Sequence, residues 1–171
     1  MMKMTHAYLS GPIIHDELRK DDFYKIIVDT LESQGITVFA PQFLLPASAE
    51  EIYRRDVEQV RLCDFLVAEV SNPSLGVGME IMLAIELQKP VLLFRQKSAN
   101  RLSKMVQGAK GIALFEYEQT DDVDKILNSI ELESLIIKTC AQCGSHISNI
   151  VGTNPQCIIC NNAAYKRMMD R

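Results

Sequence analysis

Several things are missing from this chain of 171 residues. No stretch approaches the roughly 18 consecutive apolar residues of a membrane-spanning helix. The opening MMKMTHAYLSG has one early lysine and no long apolar core, so it does not read as a secretory signal. No internal repeat or low-complexity segment is visible. Cysteine is nearly absent before residue 140, where Cys63 stands alone, so scattered disulfides are excluded. Cationic residues are scarce there too. Residues 1–137 hold 14 Lys and Arg against 21 Asp and Glu, a net charge of −7 and too acidic for a general nucleic-acid binder. These absences point to a cytoplasmic protein with no membrane partner.

What is present alternates. Short apolar runs at 6–11, 36–41, 65–70, 90–95 and 111–117 read as strands, and FLVAEV (65–70) has the continuous apolar character of a central parallel strand. Between and after them, 16–34, 48–64, 74–89, 100–109 and 120–136 read as helices. Gly35 stops the first helix, and Ser48 with Glu51 has capping-box spacing at the second. Five such alternations imply right-handed crossovers, one parallel sheet and helices on both faces. Ligands bind such sheets beyond the carboxyl ends of the strands, in the loops 10–16, 71–78 and 96–103.

The last 34 residues differ. Residues 138–171 carry 4 Lys and Arg and 1 Asp, net +3, and four of the five cysteines. CAQC (140–143) and CIIC (157–160) are two Cys-x-x-Cys knuckles. Cys140, Cys143, Cys157 and Cys160 together offer four thiolates for a tetrahedral ion about 2.3 Å away. Gly144, Gly152, Asn154 and Pro155 between them have the composition of a hairpin. The expectation is a structural zinc ribbon, 138–171, after a larger domain, 1–137, with no organic cofactor; two disulfides or an iron–sulfur cluster are the lesser alternatives. Four thiolates close such a site, so His146 reads as a loop histidine and Cys63 as a small core residue. The ribbon's mild positive charge leaves contact with nucleic acid open.

SLGVGMEIMLAIELQK (74–89) carries the chemistry. Gly76 and Gly78 leave the backbone open to a ligand, and a helix N-terminus favours an anion. Ser74 adds a hydroxyl. The Lys-Ser/Thr of a nucleoside-triphosphate loop is absent. Glu80 follows at once. A carboxylate kept ionised by the helix dipole is suited to nucleophilic attack, and equally to satisfying backbone donors. The helix is apolar nearly all round, so both sides should be covered, one by the sheet and one by a second subunit. Asp56, in mid-helix after two arginines, is a second acid, either functional or salt-bridged.

YLSGP (8–12), Asp56 with CDFLVAEVSNPSLGVGMEI (63–81), and LLFR with RLSKMVQGA (92–109) resemble the 2′-deoxynucleoside 5′-phosphate N-hydrolases and their relatives, the nucleoside 2-deoxyribosyltransferases. The resemblance spans about residues 5–135. It implies a flavodoxin-like fold, a homodimer with its site near the interface, and cleavage of the bond between base and 2-deoxyribose. It implies that Glu80 forms a glycosyl-enzyme intermediate, that Asp56 binds the sugar hydroxyl and helps move protons, and that Tyr8 lies beside the nucleophile. Gly11, Ser74, Gly76 and Gly78 would bind substrate, and Ser103 would reach the phosphate from the neighbouring subunit. The expected reaction releases free base and deoxyribose 5-phosphate from deoxynucleoside monophosphates. Base exchange between deoxynucleosides is the alternative, and a non-catalytic nucleotide sensor is a second. One departure stands out. Pro12 and Ile14 occupy places where the hydrolases carry a hydroxyl and a guanidinium, and Ser-Gly-Pro is more like the transferases. His15 and Arg19 are the nearby replacements.

Overall fold

The computed structural model describes residues 3–171. Five parallel strands form the main sheet: β1 (His6–Ser10), β2 (Thr37–Phe39), β3 (Phe65–Glu69), β4 (Val91–Gln96) and β5 (Ile112–Tyr117). Their order, β2-β1-β3-β4-β5, is the flavodoxin-like one. Tyr8 pairs with Leu66 and Ser10 with Ala68, so the carboxyl ends of β1 and β3 lie side by side.

Strand side chains alternate between faces, and the two faces carry separate cores. On one, Ala7, Leu9, Val67 and Phe94 pack against α1 (Asp21–Ser33) and α5 (Thr120–Asn128). On the other, Tyr8, Leu66, Ala68 and Leu93 meet α2 (Ala49–Leu62) and α3 (Leu75–Glu86). The expected capping box at Ser48 and Glu51 is formed. Gly35 closes α1 with a positive φ of 78°, and Gln88 does the same after α3 at 55°.

Three expected helices are shorter than their patterns. Residues 16–18 form a separate 3-10 turn, and α1 begins at Asp21. The helix expected over 100–109 is a single turn, α4 (Lys104–Gln107). The last helix ends at Asn128, and Leu135–Ile137 is a strand, β6. A partner decides that case: β6 pairs antiparallel with β7 (Ile147–Val151), which pairs with β8 (Asn154–Cys157). The second sheet thus takes its first strand from before residue 138.

This small sheet and α6 (Ala163–Met169) pack on the large one. Ile147, Ile158, Tyr165 and Met168 belong to the same buried cluster as Phe115 and Leu127. Asn162 donates to the Ile126 carbonyl and caps Tyr165 N–H. Along the outer edge of β5, His146 N–H donates to Ile112 O at 3.0 Å, and Glu116 N–H to Tyr165 Oη at 3.2 Å. No helix among the described residues is long and apolar enough to cross a membrane.

Candidate active site

Glu80 lies under the carboxyl end of β1. Its Oε1 accepts from Tyr8 Oη at 2.8 Å, and its Oε2 accepts from Ser10 Oγ. Tyr8 and Ser10 share a face because they stand two apart on one strand. Ser10 was not singled out from the sequence, although that period of two, applied from Tyr8, would have found it.

Burial pushes the Glu80 carboxyl up to about 7. The hydroxyls of Ser10 and Tyr8 pull it down, and the negative charge of Asp56 pushes it up further. The expectation that the helix dipole keeps Glu80 ionised is therefore corrected. Glu80 is the sixth residue of α3, past the first turn where the dipole acts, and desolvation wins. Tyr8 is fully buried, and burial first, then Glu80, raises its phenol far above its ordinary value. It remains a neutral donor to Glu80.

Asp56, on α2, faces the same cluster, since its charge acts on both Tyr8 and Glu80. It also holds the ion pair expected of a salt-bridged acid: Arg55 Nε donates to Asp56 Oδ1 at 2.8 Å. The Arg55 guanidinium lies 5.7 Å from the centre of the Phe39 ring, and that ring lies 5.5 Å from the ring of Tyr8. The two acids, the phenol and a cationic-aromatic rim come together from β1, β2, α2 and α3.

Ser74 caps α3, its Oγ accepting from Val77 N–H at 3.4 Å. Gly76 and Gly78 fall inside the helix, not in a loop before it. A Cβ at either would meet nothing within 4 Å, so nothing in the chain itself requires glycine there. Gly11 is different. A Cβ there would lie 2.4 Å from the Tyr24 ring, which is fully buried and donates to Pro12 O, so packing alone demands glycine. Ser103 is exposed at the head of α4 with no cap bond from its side chain. In the first turn, Ile14 is 86% exposed, and Arg19 is occupied by Asp21 and Gln42 O.

The four cysteines are all free, and their sulfurs lie within 4.8 Å of one another. Cys140 and Cys160 Sγ are 3.9 Å apart, Cys143 and Cys157 Sγ 3.6 Å. Four ligands at about 2.3 Å in a tetrahedron would be about 3.8 Å apart. This cluster could hold a metal ion. Cys63 is buried in the core, as expected, and burial pushes its thiol up to about 11.

A family model described as nucleoside 2-deoxyribosyltransferase matches residues 7–128, which include Tyr8, Asp56, Ser74 and Glu80. The chain belongs to that family. A 5-hydroxymethyl-dUMP N-hydrolase of Esox lucius is 36% identical over 136 residues, covering 71% of this chain and 92% of its own length. One of Tetraodon nigroviridis is 45% identical over 80 residues, 44% of this chain and 56% of its own length. The structure of a Clostridium botulinum CMP N-glycosidase superposes with a TM-score of 0.59 at 17% identity, covering 72% of this chain and 99% of its own, which shows a shared fold. The match ends before the first strand of the small sheet, so the cysteine cluster lies outside the family region.

Proposed function

We propose that the chain hydrolyses the N-glycosidic bond of 2′-deoxynucleoside 5′-monophosphates. The observation that carries the reading is Glu80, half-buried, gripped by two hydroxyls and matched with a second acid at the carboxyl end of the sheet. The ionised carboxylate attacks the anomeric carbon, and the bond to the base breaks as the ester forms. Water then attacks the same carbon, the ester breaks, and deoxyribose 5-phosphate leaves. This is double displacement with retention. Asp56 holds a sugar hydroxyl and helps pass the proton that the departing base gains and the water loses. Tyr8 and Ser10 fix the attacking oxygen before the reaction, which removes reorganisation from the barrier.

The glycines support the anion seat. Each costs about 0.5–1 kcal/mol in a helix relative to Ala. With open space above both, that cost finds its reason in a group that approaches from outside. Ser74 and the exposed Ser103 supply hydroxyls to the same seat, the latter from a second copy.

A homodimer is part of the reading. The chain buries one stripe of α3, Val77, Ile81 and Ala84. Leu75, Met79 and Met82, at i, i+4 and i+7, form another stripe that is 92%, 62% and 44% exposed. A second copy covers it and brings its Ser103 to the site. The cysteine cluster holds a structural zinc, for which the sulfur spacing is right and no open coordination position remains.

Base exchange by a deoxyribosyltransferase is the second reading, favoured by one observation: no free guanidinium stands at the first turn, where Ile14 points to solvent and Arg19 is engaged. Incubation with the four deoxynucleosides and their monophosphates, with and without an added free base, separates the two. Hydrolysis yields deoxyribose 5-phosphate regardless of added base. A new nucleoside in the presence of that base would overturn the hydrolase reading.

The protonation of Glu80 sets the pH profile. Only the carboxylate attacks, so kcat/KM for the free enzyme should rise with pH through about 7. A profile that stays flat across about two units on either side would remove Glu80 as the titrating nucleophile.

A further inference from the structure

We propose that Glu69 is a positioning residue that ties together the three loops carrying the site, acting through Ser71 and Gln96. The inference rests on the assignment of Glu80 as the nucleophile between those loops. Glu69 ends β3 on the face opposite Glu80 and is fully buried. Among the described residues it makes no ion pair, yet its bonds run to the carboxyl edge of the sheet. Its Oε2 accepts from Ser71 N–H at 3.2 Å, and its Oε1 accepts from Ser71 Oγ and from Tyr117 Oη, the latter at 2.9 Å.

Ser71 begins the segment leading to the Ser74 cap and the helix of Glu80. Having donated its proton to Glu69, its Oγ has lone pairs left, and one accepts from Gln96 N–H at 2.8 Å. Gln96 ends β4 and begins the loop to Ser103. Its side-chain oxygen accepts from Lys20 Nζ at 2.8 Å, at the end of the loop after β1. One carboxylate thus connects the loops after β1, β3 and β4, and Tyr117 adds the end of β5.

A buried carboxylate is costly, and an apolar residue of similar size would serve a sheet interior better. What an apolar residue could not do is accept from a backbone N–H and a hydroxyl of Ser71 together. That pair of bonds fixes both the path of the chain at Ser71 and the direction of its Oγ, and hence the place of Gln96.

The test uses Ser71→Ala, Ser71→Thr and Glu69→Gln in the full chain, assayed on the deoxynucleoside monophosphate that the unaltered chain turns over fastest. Ser71→Ala and Glu69→Gln should each raise KM about tenfold and lower kcat, while Ser71→Thr, which keeps the hydroxyl, restores both toward the unaltered values. A structural role alone would lower the folded fraction and so kcat, leaving KM unchanged. Independently of turnover, backbone amide exchange in Ser71→Ala should quicken together in 71–78 and 96–103 and not in α5. Unchanged KM, or quickened exchange in only one of the two loops, would overturn the proposal. If Glu80→Gln abolishes turnover while Ser71→Ala and Glu69→Gln keep an unaltered KM, this inference fails and the nucleophile stands. If Glu80→Gln keeps its activity, the underlying assignment fails first.

Discussion

Glu80→Gln should abolish base release, by on the order of 10⁴-fold or more, with the fold intact. The amide is isosteric. Its oxygen still accepts from Tyr8, and its nitrogen can donate to Ser10 Oγ, a hydroxyl able to accept. What it lacks is the negative charge that makes a carboxylate oxygen nucleophilic enough to bond to the anomeric carbon. The stability of the variant provides a second reading of the same site. Glu80 in the folded chain titrates near about 7, above its ordinary value of 4.5, so the fold favours the protonated form. The stabilisation from that neutral carboxyl is complete below about 4.5 and is lost as pH rises through about 7. The amide never ionises. The variant should therefore melt higher than the unaltered chain above neutrality, with the gap closing in acid. Chromatographic assay of free base and thermal melts at two pH values check both points, and a variant of full activity would sink the mechanism.

Removing metal from the four-cysteine cluster, by chelation or by Cys157→Ser, should lower the melting temperature by more than about 10 °C. Structural zinc in small domains is worth about 10–16 kcal/mol in peptides, and only part of that need reach the fold. A loss of about 4 kcal/mol already shifts a domain of this size by roughly 8–16 °C. The effect should extend beyond the tail because Tyr165 and Ile158 share a core with Phe115 and Leu127. The large sheet and the small one should melt together. An apoprotein that melts where the holoprotein does would show that the cluster holds no stabilising ion.

The five-stranded sheet was legible because its strands are apolar runs set between helical periods. The cysteine cluster was legible because two Cys-x-x-Cys knuckles have few other uses. Tyr8, Asp56 and Glu80 were named from the sequence, and the fold brings all three to one place. Three things were not legible. Leu135–Ile137 continues a helical pattern, and only the distant β7 turns it into a strand. Glu69 hides in a run that reads as a continuous apolar strand, and nothing local marks that acid as a buried acceptor. The state of Glu80 depends on burial, which is a tertiary quantity. The local rule about helix dipoles pointed the other way.

The contact between the small sheet and β5 has another consequence. An open sheet ends in strands whose outward N–H and C=O groups invite pairing with another chain. At one end, β2 is only three residues long and offers little template. At the other, β5 has six residues rich in apolar side chains, IALFEY. His146 and Tyr165 occupy two of its outward groups. The cysteine-held tail is thus also a guard against self-association. If the four cysteines hold the proposed zinc, a chain without it would face precipitation through an uncovered strand before it faced any loss of chemistry.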